Sequence, residues 1–366
     1  MESVAPACHG VHVTTLQEIG LLRLAALGLA GPGAPAAVEA VRRLGAVQAQ
    51  DFPGALTSVA LRTAARLRAD VEAALDAGDV VRSWPMRGTL HLVAADDLRW
   101  FLDTVGVRAL TGIGKRWEYL ELDEAQAERS REVVLGALAG GGRATRAELL
   151  AAIAEGGVAV TGQRDYHLLW YLSQTGTLCL GPTDGAGEQL FVLLDEWVGN
   201  RRRLDRDEAL AELALRFFSG HGPATVADLV RWAGCTARDV RAGLAEVRDR
   251  LAVLTVDGAE YLMDPGTPDR LSTARAEAEG VFLLPGFDEF VLGYGDRTAV
   301  VPAEFADRLV PGRNGMFRAT VVHRGQVVAV WRWHGRGTKR APAVEPFTEL
   351  PPDVAAAIPS LAAALP

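Results

Sequence analysis

Residues 225–263 read TVADLVRWAGCTARDVRAGLAEVRDRLAVLTVDGAEYLM, and this stretch decides the fold class. Apolar side chains recur at helical spacing over residues 226–232 and again over residues 236–247, with a glycine between the two segments. Residues 251–256 and 260–263 follow as two strands about an Asp-Gly pair, which is a strong local signal for a tight hairpin turn. Two helices followed by a hairpin are the order of a winged helix.

The same order occurs twice before this stretch. In the middle of the chain, Thr145 and Glu148 form a capping box that opens a helix, and residues 163–174 predict a second helix. Residues 177–180 and 189–193 predict strands on either side of a turn rich in glycine and proline. Nearer the start, helices are predicted at residues 15–29, 36–44, 53–65 and 70–75, and strands at residues 79–84 and 89–93.

The pattern changes at residue 281, where strands begin to dominate. The tail, residues 353–365, is rich in alanine and is predicted to be helical on either side of Pro359, because the proline ring interrupts the helical hydrogen-bond ladder. The predicted strands of this region are residues 281–284, 290–294, 317–323 and 326–333. We therefore predict an α+β protein of three tandem winged-helix units and a β-rich C-terminal region, bounded at residues 12–110, 125–200, 205–275 and 280–366.

Composition limits the possible partners. The chain has 366 residues, of which 49% are hydrophobic and 23% charged, so it should fold into several globular modules. Its net charge of -8 argues against a uniformly basic nucleic-acid binder, although clustered arginines can still supply a local positive surface. Cys8, Cys179 and Cys235 are spaced too widely for a disulfide framework or a zinc cluster, which favours a reducing cytoplasm. We expect no signal peptide and no membrane segment.

Two glutamines, Gln48 and Gln50, flank one alanine and form the most distinctive chemical pattern of the chain. A glutamine amide does not titrate, so such a pair can only position water and offer hydrogen bonds to charge that develops during a reaction. That chemistry suits a substrate that already carries a good leaving group. By residue type and spacing alone, the pair is more simply explained as turn polars before a helix.

A second group of candidates lies in residues 87–92. His91 alternates with leucines on a predicted strand and should therefore face solvent or a groove. Gly88 permits close approach of a backbone or ligand, and Arg87 is then a candidate phosphate contact. Taken alone, His91 is also consistent with an ordinary surface or hydrogen-bonded histidine.

Cations crowd the C-terminal end and supply the local positive surface that the net charge lacks. Asp288 and Asp296 are candidate acids, but Asp296 beside Arg297 is equally consistent with an ion pair in a turn. Residues 201–206 carry four arginines, and we assign them no role because neighbouring acids make a solvated linker equally plausible. The C-terminal cations are Arg318, His323, Arg324, Arg332, His334, Arg336, Lys339 and Arg340.

Other functional motifs fail. Residues 114–115 lack the remaining positions of a phosphate-binding loop, and no nucleophile elbow is present in the sequence. Cys8, His9 and His12 lie close together but lack a fourth ligand, so we expect no metal. We expect no cofactor either.

The motifs at residues 47–51, 84–92 and 284–289 occur together and in this order. With them, the chain resembles the AlkZ-like winged-helix DNA glycosylases over nearly its whole length. The resemblance implies tandem winged helices in a C shape and hydrolytic release of N7-alkylated guanine, including guanine in interstrand crosslinks. The family's best-known member protects an azinomycin producer from its own crosslinking agent. The family motif of two glutamines about an apolar residue maps onto Gln48, Ala49 and Gln50, which implies that both glutamines are catalytic.

The resemblance also implies a partner, namely double-stranded DNA with an alkylated or crosslinked guanine, bound by a monomer in an open groove. Crosslinked guanine is tethered to both strands and cannot swing fully out of the duplex. The turn at residues 323–326 is one candidate for insertion into the minor groove. The predicted DNA contacts are Arg87, His91, His323, Arg324, Arg332 and Arg336. The alternative is a non-enzymatic winged-helix transcriptional regulator.

Overall fold

The computed structural model describes residues 15–199, 202–335, 337 and 340–366, with the side chain of residue 313 excepted. Cys8, His9, His12, Arg336 and Lys339 lie outside the described residues. The structure combines helices with antiparallel sheets, so the α+β class is confirmed.

The N-terminal part contains four helices and three strands. They are α1 (Leu16–Ala26), α2 (Ala37–Leu44), β1 (Val47–Gln48), α3 (Phe52–Ala60), α4 (Arg68–Asp76), β2 (Val80–Met86) and β3 (Thr89–Ala94). Asp51 caps α3 by accepting a hydrogen bond from the amide of Gly54, and Pro53 lies in the first turn, where its missing N–H costs nothing. The glutamine pair therefore lies between a short strand and the start of a helix.

The middle of the chain again has a succession of helices followed by a two-stranded hairpin. It contains α5 (Leu98–Thr104), α6 (Ile113–Leu120), α7 (Glu124–Leu138), α8 (Arg146–Glu155), α9 (Arg164–Gln174), β4 (Leu178–Thr183), β5 (Gln189–Leu193) and α10 (Leu194–Trp197). Thr145 and Glu148 form the predicted capping box at the start of α8. A third succession follows, with α11 (Arg206–His221), α12 (Val226–Ala233), α13 (Ala237–Val247), β6 (Ala252–Val256) and β7 (Ala259–Met263).

In each succession, a residue ahead of the last two helices before the hairpin pairs with the second strand of that hairpin. Val47 pairs with Leu92 in the first, Ala144 with Phe191 in the second and Ala224 with Leu262 in the third. The first two hairpins join through Arg82 and Leu180 into one antiparallel sheet of order β1-β3-β2-β4-β5, whereas β6 and β7 form a sheet of two strands. The strand β3 is consequently enclosed between β1 and β2.

The C-terminal part contains α14 (Thr267–Ala278), β8 (Val281–Leu284), α15 (Glu289–Leu292), α16 (Ala306–Leu309), β9 (Ala319–His323), β10 (Gln326–His334), β11 (Ala341–Pro346) and α17 (Pro352–Ala363). Its strands form an antiparallel sheet of order β11-β10-β9-β8. The largest hydrophobic core joins this region to α1, α2 and α3. Packing thus brings the far end of the chain against the glutamine pair.

Two expectations for this part were wrong. Residues 290–294, predicted as a strand, lie largely in the helical turn α15, because Asp288 caps it by accepting a hydrogen bond from the amide of Phe290. A short buried apolar run has no periodicity that separates strand from helix. The tail forms a single helix, α17, that continues through Pro359 instead of breaking there.

Candidate active site

The side chains of Gln48 and Gln50 contact each other. Gln48 Nε2 donates a hydrogen bond of 2.8 Å to Gln50 Oε1, and the backbone nitrogen of Gln50 lies 3.4 Å from Gln48 Oε1. The side chain of Gln48 is almost buried, with 5% of its residue surface exposed, whereas Gln50 is exposed. Because an amide oxygen has two lone pairs, Gln50 Oε1 can still accept a hydrogen bond from a water molecule.

Strand pairing brings the two predicted groups of candidates together. Gln48 lies opposite His91 in the β1–β3 pair, and the amide of Ala49 donates 2.8 Å to the carbonyl oxygen of Leu90. The pair of glutamines and the run of residues 87–92 therefore belong to one structural site.

Arg82 fixes the backbone between the two glutamines. Its Nε and Nη2 donate to the carbonyl oxygen of Ala49 at 2.9 and 2.7 Å, and its Nη1 donates to Gln189 Oε1 at 2.8 Å. Burial lowers the pKa of Arg82 to about 10, so the guanidinium stays charged at neutral pH. Arg82 was not among the residues predicted from the sequence, although a cation within the apolar strand β2 is itself an unusual signal.

Glu289 contacts the backbone of Gln48. Its Oε1 lies 3.4 Å from the backbone nitrogen of Gln48, and its Oε2 accepts a hydrogen bond of 3.0 Å from Trp232 Nε1. The same Oε2 lies 3.2 Å from His221 Nε2. Glu289 is fully buried, so these groups are what compensate its lost hydration. Glu289 belongs to the motif of residues 284–289, but no role was predicted for it from the sequence.

Asp288 has a structural role, and the expectation that it acts as an acid in a site is not supported. Its two oxygens accept hydrogen bonds from Arg62 at 2.8 and 2.9 Å, and one of them also accepts 2.7 Å from Ser58 Oγ. Burial alone would raise the pKa of Asp288, but the Arg62 guanidinium outweighs it and holds the pKa below its usual range. Asp296 likewise accepts hydrogen bonds from the backbone and hydroxyl of Thr298, as in a turn.

His91 does not face solvent, so that expectation was wrong. It is 0% exposed, because β3 is an inner strand of a sheet covered on both faces, where alternation no longer separates inside from outside. His91 Nδ1 lies 2.8 Å from the carbonyl oxygen of Thr89 and must carry the proton, so Nε2 accepts from Arg87 Nη2 at 3.1 Å. His91 holds Arg87 and offers no exposed surface to DNA.

This environment predicts a pH dependence of stability. Burial first, and then the charge of Arg87, lower the pKa of His91 to about 3. Between that value and the unfolded value of about 6.5, only the unfolded chain binds the proton, so stability is present above pH 6.5 and is lost as pH falls toward 3. We expect the free energy of unfolding to fall by up to about 1.4 kcal/mol per pH unit from this residue alone.

Urea denaturation of the wild type and of His91→Gln between pH 7 and pH 4.5 measures this effect. The variant should show a shallower slope below pH 6.5, by up to about 1.4 kcal/mol per pH unit. His167, whose pKa burial lowers to about 4, contributes equally to both proteins. Identical slopes would show that His91 is not the buried neutral group described above.

The turn at residues 323–326 is not free to enter a DNA groove. Its Gly325 packs against the backbone of Gly20 in α1 so closely that neither position has room for a Cβ. Gln326 Nε2 also donates 2.7 Å to the carbonyl oxygen of Ala299. The prediction of an inserted turn here was wrong, because sequence alone does not show that α1 covers it. The adjacent Arg324 is exposed, and His323 is half-buried.

A cleft of about 800 Å³ opens beside the glutamine pair. Asp51 and Gly54, at the start of α3, form part of one wall. The opposite walls come from the C-terminal region and include the predicted contact Arg332, which is exposed. The other aromatic and cationic lining residues are Arg68, Phe287, Phe317, Arg318, Trp331, Trp333 and Arg340.

Arg87 lies at a second cleft, of about 740 Å³, which it lines together with Arg108 and Arg116. Within the described residues, no group of three or more His, Cys, Asp or Glu side chains is placed to hold a metal ion. The described part of the chain also contains no helix long and apolar enough to span a membrane.

Comparison with known proteins identifies the class of enzyme. Residues 41–365 match the family model described as "DNA glycosylase AlkZ-like", and the chain therefore belongs to the AlkZ-like DNA glycosylases. It is 28% identical over 309 residues to the interstrand DNA cross-link repair glycosylase of Streptomyces sahachiroi, a match that covers 81% of this chain and 82% of that protein. The solved structure of Streptomyces sahachiroi DNA glycosylase AlkZ superposes with a TM-score of 0.78 at 25% identity, covering 96% of this chain and 97% of that one.

These findings confirm the family and the enzyme class predicted from the sequence. The alternative of a non-enzymatic transcriptional regulator is not favoured.

Proposed function

We propose that this enzyme hydrolyses the N-glycosidic bond of guanine alkylated at N7, including guanine that crosslinks the two strands of duplex DNA, and leaves an abasic site. The observation that carries the proposal is the hydrogen-bonded pair of Gln48 and Gln50, one buried and one exposed beside a cleft. Two neutral amides suit this substrate, because alkylation at N7 makes guanine cationic before the enzyme acts.

Each residue of the site has a part in this mechanism. The departing base is already charged and needs little protonation, so the sugar moves readily toward an oxocarbenium-like state. Gln48 Nε2 sets the orientation of Gln50 Oε1. This oxygen accepts a hydrogen bond from the attacking water, which increases the negative charge on the water oxygen. Arg82 and Glu289 hold the backbone on either side of Ala49, so the pair is preorganised. The reaction consumes water and needs no cofactor.

We further propose how the duplex is bound. Arg332 and its neighbours Arg318 and Arg340 line the cleft. Glu345 pairs with Arg318 at 2.7 Å and lies 4.0 Å from Arg332, so one carboxylate faces three arginines and the surface keeps the positive charge that phosphates require. Arg87 remains a proposed phosphate contact at the second cleft, whereas Arg336 is proposed from the sequence alone. The three successions of helices and hairpin support the proposal of three winged-helix units. We propose that these units surround one duplex and that the enzyme acts as a monomer in the cytoplasm.

Unhooking of a defined crosslink tests the proposal. We expect the purified protein to convert a duplex with one crosslink between two guanine N7 atoms into separable strands on a denaturing gel, with an abasic site in at least one strand. An unmodified duplex of the same sequence is the control and should remain intact. A crosslinked duplex that binds the protein and stays crosslinked would contradict the proposed substrate.

A further inference from the structure

The cleft beside Gln50 is lined by aromatic rings as well as cations. Phe287 and Phe317 lie with their ring centroids 6.1 Å apart and their planes inclined at 51°, and Trp333 carries the guanidinium of Arg340 4.0 Å above its ring. All three rings line the same cleft and remain only half-buried. Half-buried rings beside a catalytic motif are available to stack on a substrate.

The backbone at Phe287 is held in an unfavourable conformation. Its φ is +61°, a region that non-glycine residues rarely adopt and that costs free energy unless the surroundings impose it. The preceding Gly286 allows this arrangement, since a Cβ there would lie 2.8 Å from the carbonyl oxygen of Phe317. The next residue, Asp288, is fixed in its buried ion pair with Arg62. The chain is therefore constrained on both sides of the residue that presents its ring to the cleft.

The cleft adjoins the glutamine pair through the residue that follows it in the chain. Asp51, which directly follows Gln50 in the chain, is one of its lining residues, so the cleft begins next to the exposed glutamine. A volume of about 800 Å³ falls in the range of pockets that bind organic molecules of drug size. Planar rings stack favourably on Phe and Trp side chains, and the surrounding arginines can pair with the phosphates of the same substrate.

We propose that this cleft binds the planar aromatic part of a bulky substituent on guanine N7, and that its rings make the enzyme prefer such adducts to N7-methylguanine. The proposal deepens the function proposed above and rests on it. An unpaired nucleobase is the competing occupant. A nucleobase would stack equally well whatever substituent N7 carries, so the two occupants give different results.

Three duplexes that differ only at one guanine test the proposal: N7-methyl, N7-cyclohexylmethyl and N7-benzyl. For the wild type, we expect kcat/KM for base release to be about tenfold higher with the benzyl adduct than with either other one, since stacking contributes this order of preference. Phe287→Asn removes the ring while asparagine tolerates the positive φ, and this variant should bring the ratio of benzyl to methyl close to one. Phe287→Trp should retain the preference.

Trp333→Ala should lower the same ratio, and it provides a second variant in case Phe287→Asn does not fold. Tyr119→Ala is the matched control, because Tyr119 is an aromatic residue that is 71% exposed and does not line the cleft. It should leave the ratio unchanged. Equal losses on all three duplexes would assign the rings to an unpaired base or to the fold, and a wild type without preference would also overturn the proposal. Release from none of the duplexes would refute the proposed function itself.

Discussion

Replacing either Gln48 or Gln50 by alanine is expected to slow single-turnover release of N7-methylguanine about 100- to 1,000-fold, the usual effect of removing one preorganised hydrogen-bonding group from an active site. The structure explains why each single change should be so costly. Gln48 Nε2 fixes the amide of Gln50, and Gln50 presents the oxygen that we propose orients the water. Without either partner, the remaining amide can rotate.

The double variant should lose little more than the single ones, because residues that act as a unit are not additive. Single-turnover rates with enzyme in excess measure the chemical step apart from DNA affinity. Gln17→Ala is the matched control, since Gln17 is exposed at the start of α1 and does not line the cleft. Wild-type rates for both single variants would exclude a catalytic role for the pair.

Asp288→Ala is expected to lower the free energy of unfolding by about 3–5 kcal/mol, because it leaves the guanidinium of Arg62 buried without a counter-ion. Both side chains are 1% exposed, so water cannot replace the lost carboxylate. The same change removes the carboxylate that accepts the hydrogen bond of Ser58 Oγ, a side chain of α3. Urea denaturation at neutral pH measures the effect.

An exposed ion pair is the matched control. Arg248 and Glu260 lie on the surface, and Glu260→Ala should cost less than about 1 kcal/mol. A second variant with Arg62→Met and Asp288→Leu together should recover part of the loss, since it removes both buried charges. If Asp288→Ala and Glu260→Ala lowered the free energy of unfolding by the same small amount, the buried ion pair would not be what fixes residues 284–289 to α3.

Local chemistry explains which elements the sequence predicted well. The capping box of Thr145 and Glu148 starts α8 where expected, and the Asp257-Gly258 turn joins β6 to β7 as expected. Both signals depend only on residues a few positions apart. The structure also has helices that the sequence analysis did not assign, such as α7, α11 and α14.

Tertiary packing explains the failures. His91 alternates with leucines like a residue of a half-exposed strand, yet β1 and β2 enclose its strand in a sheet. The turn at Arg324 and Gly325 has the residues of an exposed hairpin tip, yet it packs on Gly20, some 300 positions earlier. Neither the strand pairing nor the glycine contact can be predicted from the neighbouring residues in the sequence.

Tertiary packing also explains why only part of the candidate site could be predicted from the sequence. Residue types alone favoured a structural turn for Gln48 and Gln50, and only their order with the later motifs indicated catalysis. The residues that hold them are distant in sequence. Glu289 reaches Gln48 from 241 positions away, and Arg82 reaches Ala49 from the neighbouring hairpin.

Release of the modified base from DNA by the unaltered protein tests the central claim most directly. The purified full chain, in excess over a duplex with one N7-methylguanine, should release free N7-methylguanine and leave an equal amount of abasic sites that break under alkali. An incubation without protein corrects for spontaneous depurination. Release at the uncatalysed rate, by a folded protein that binds the duplex, would contradict the assignment of this chain as a glycosylase for N7-alkylguanine.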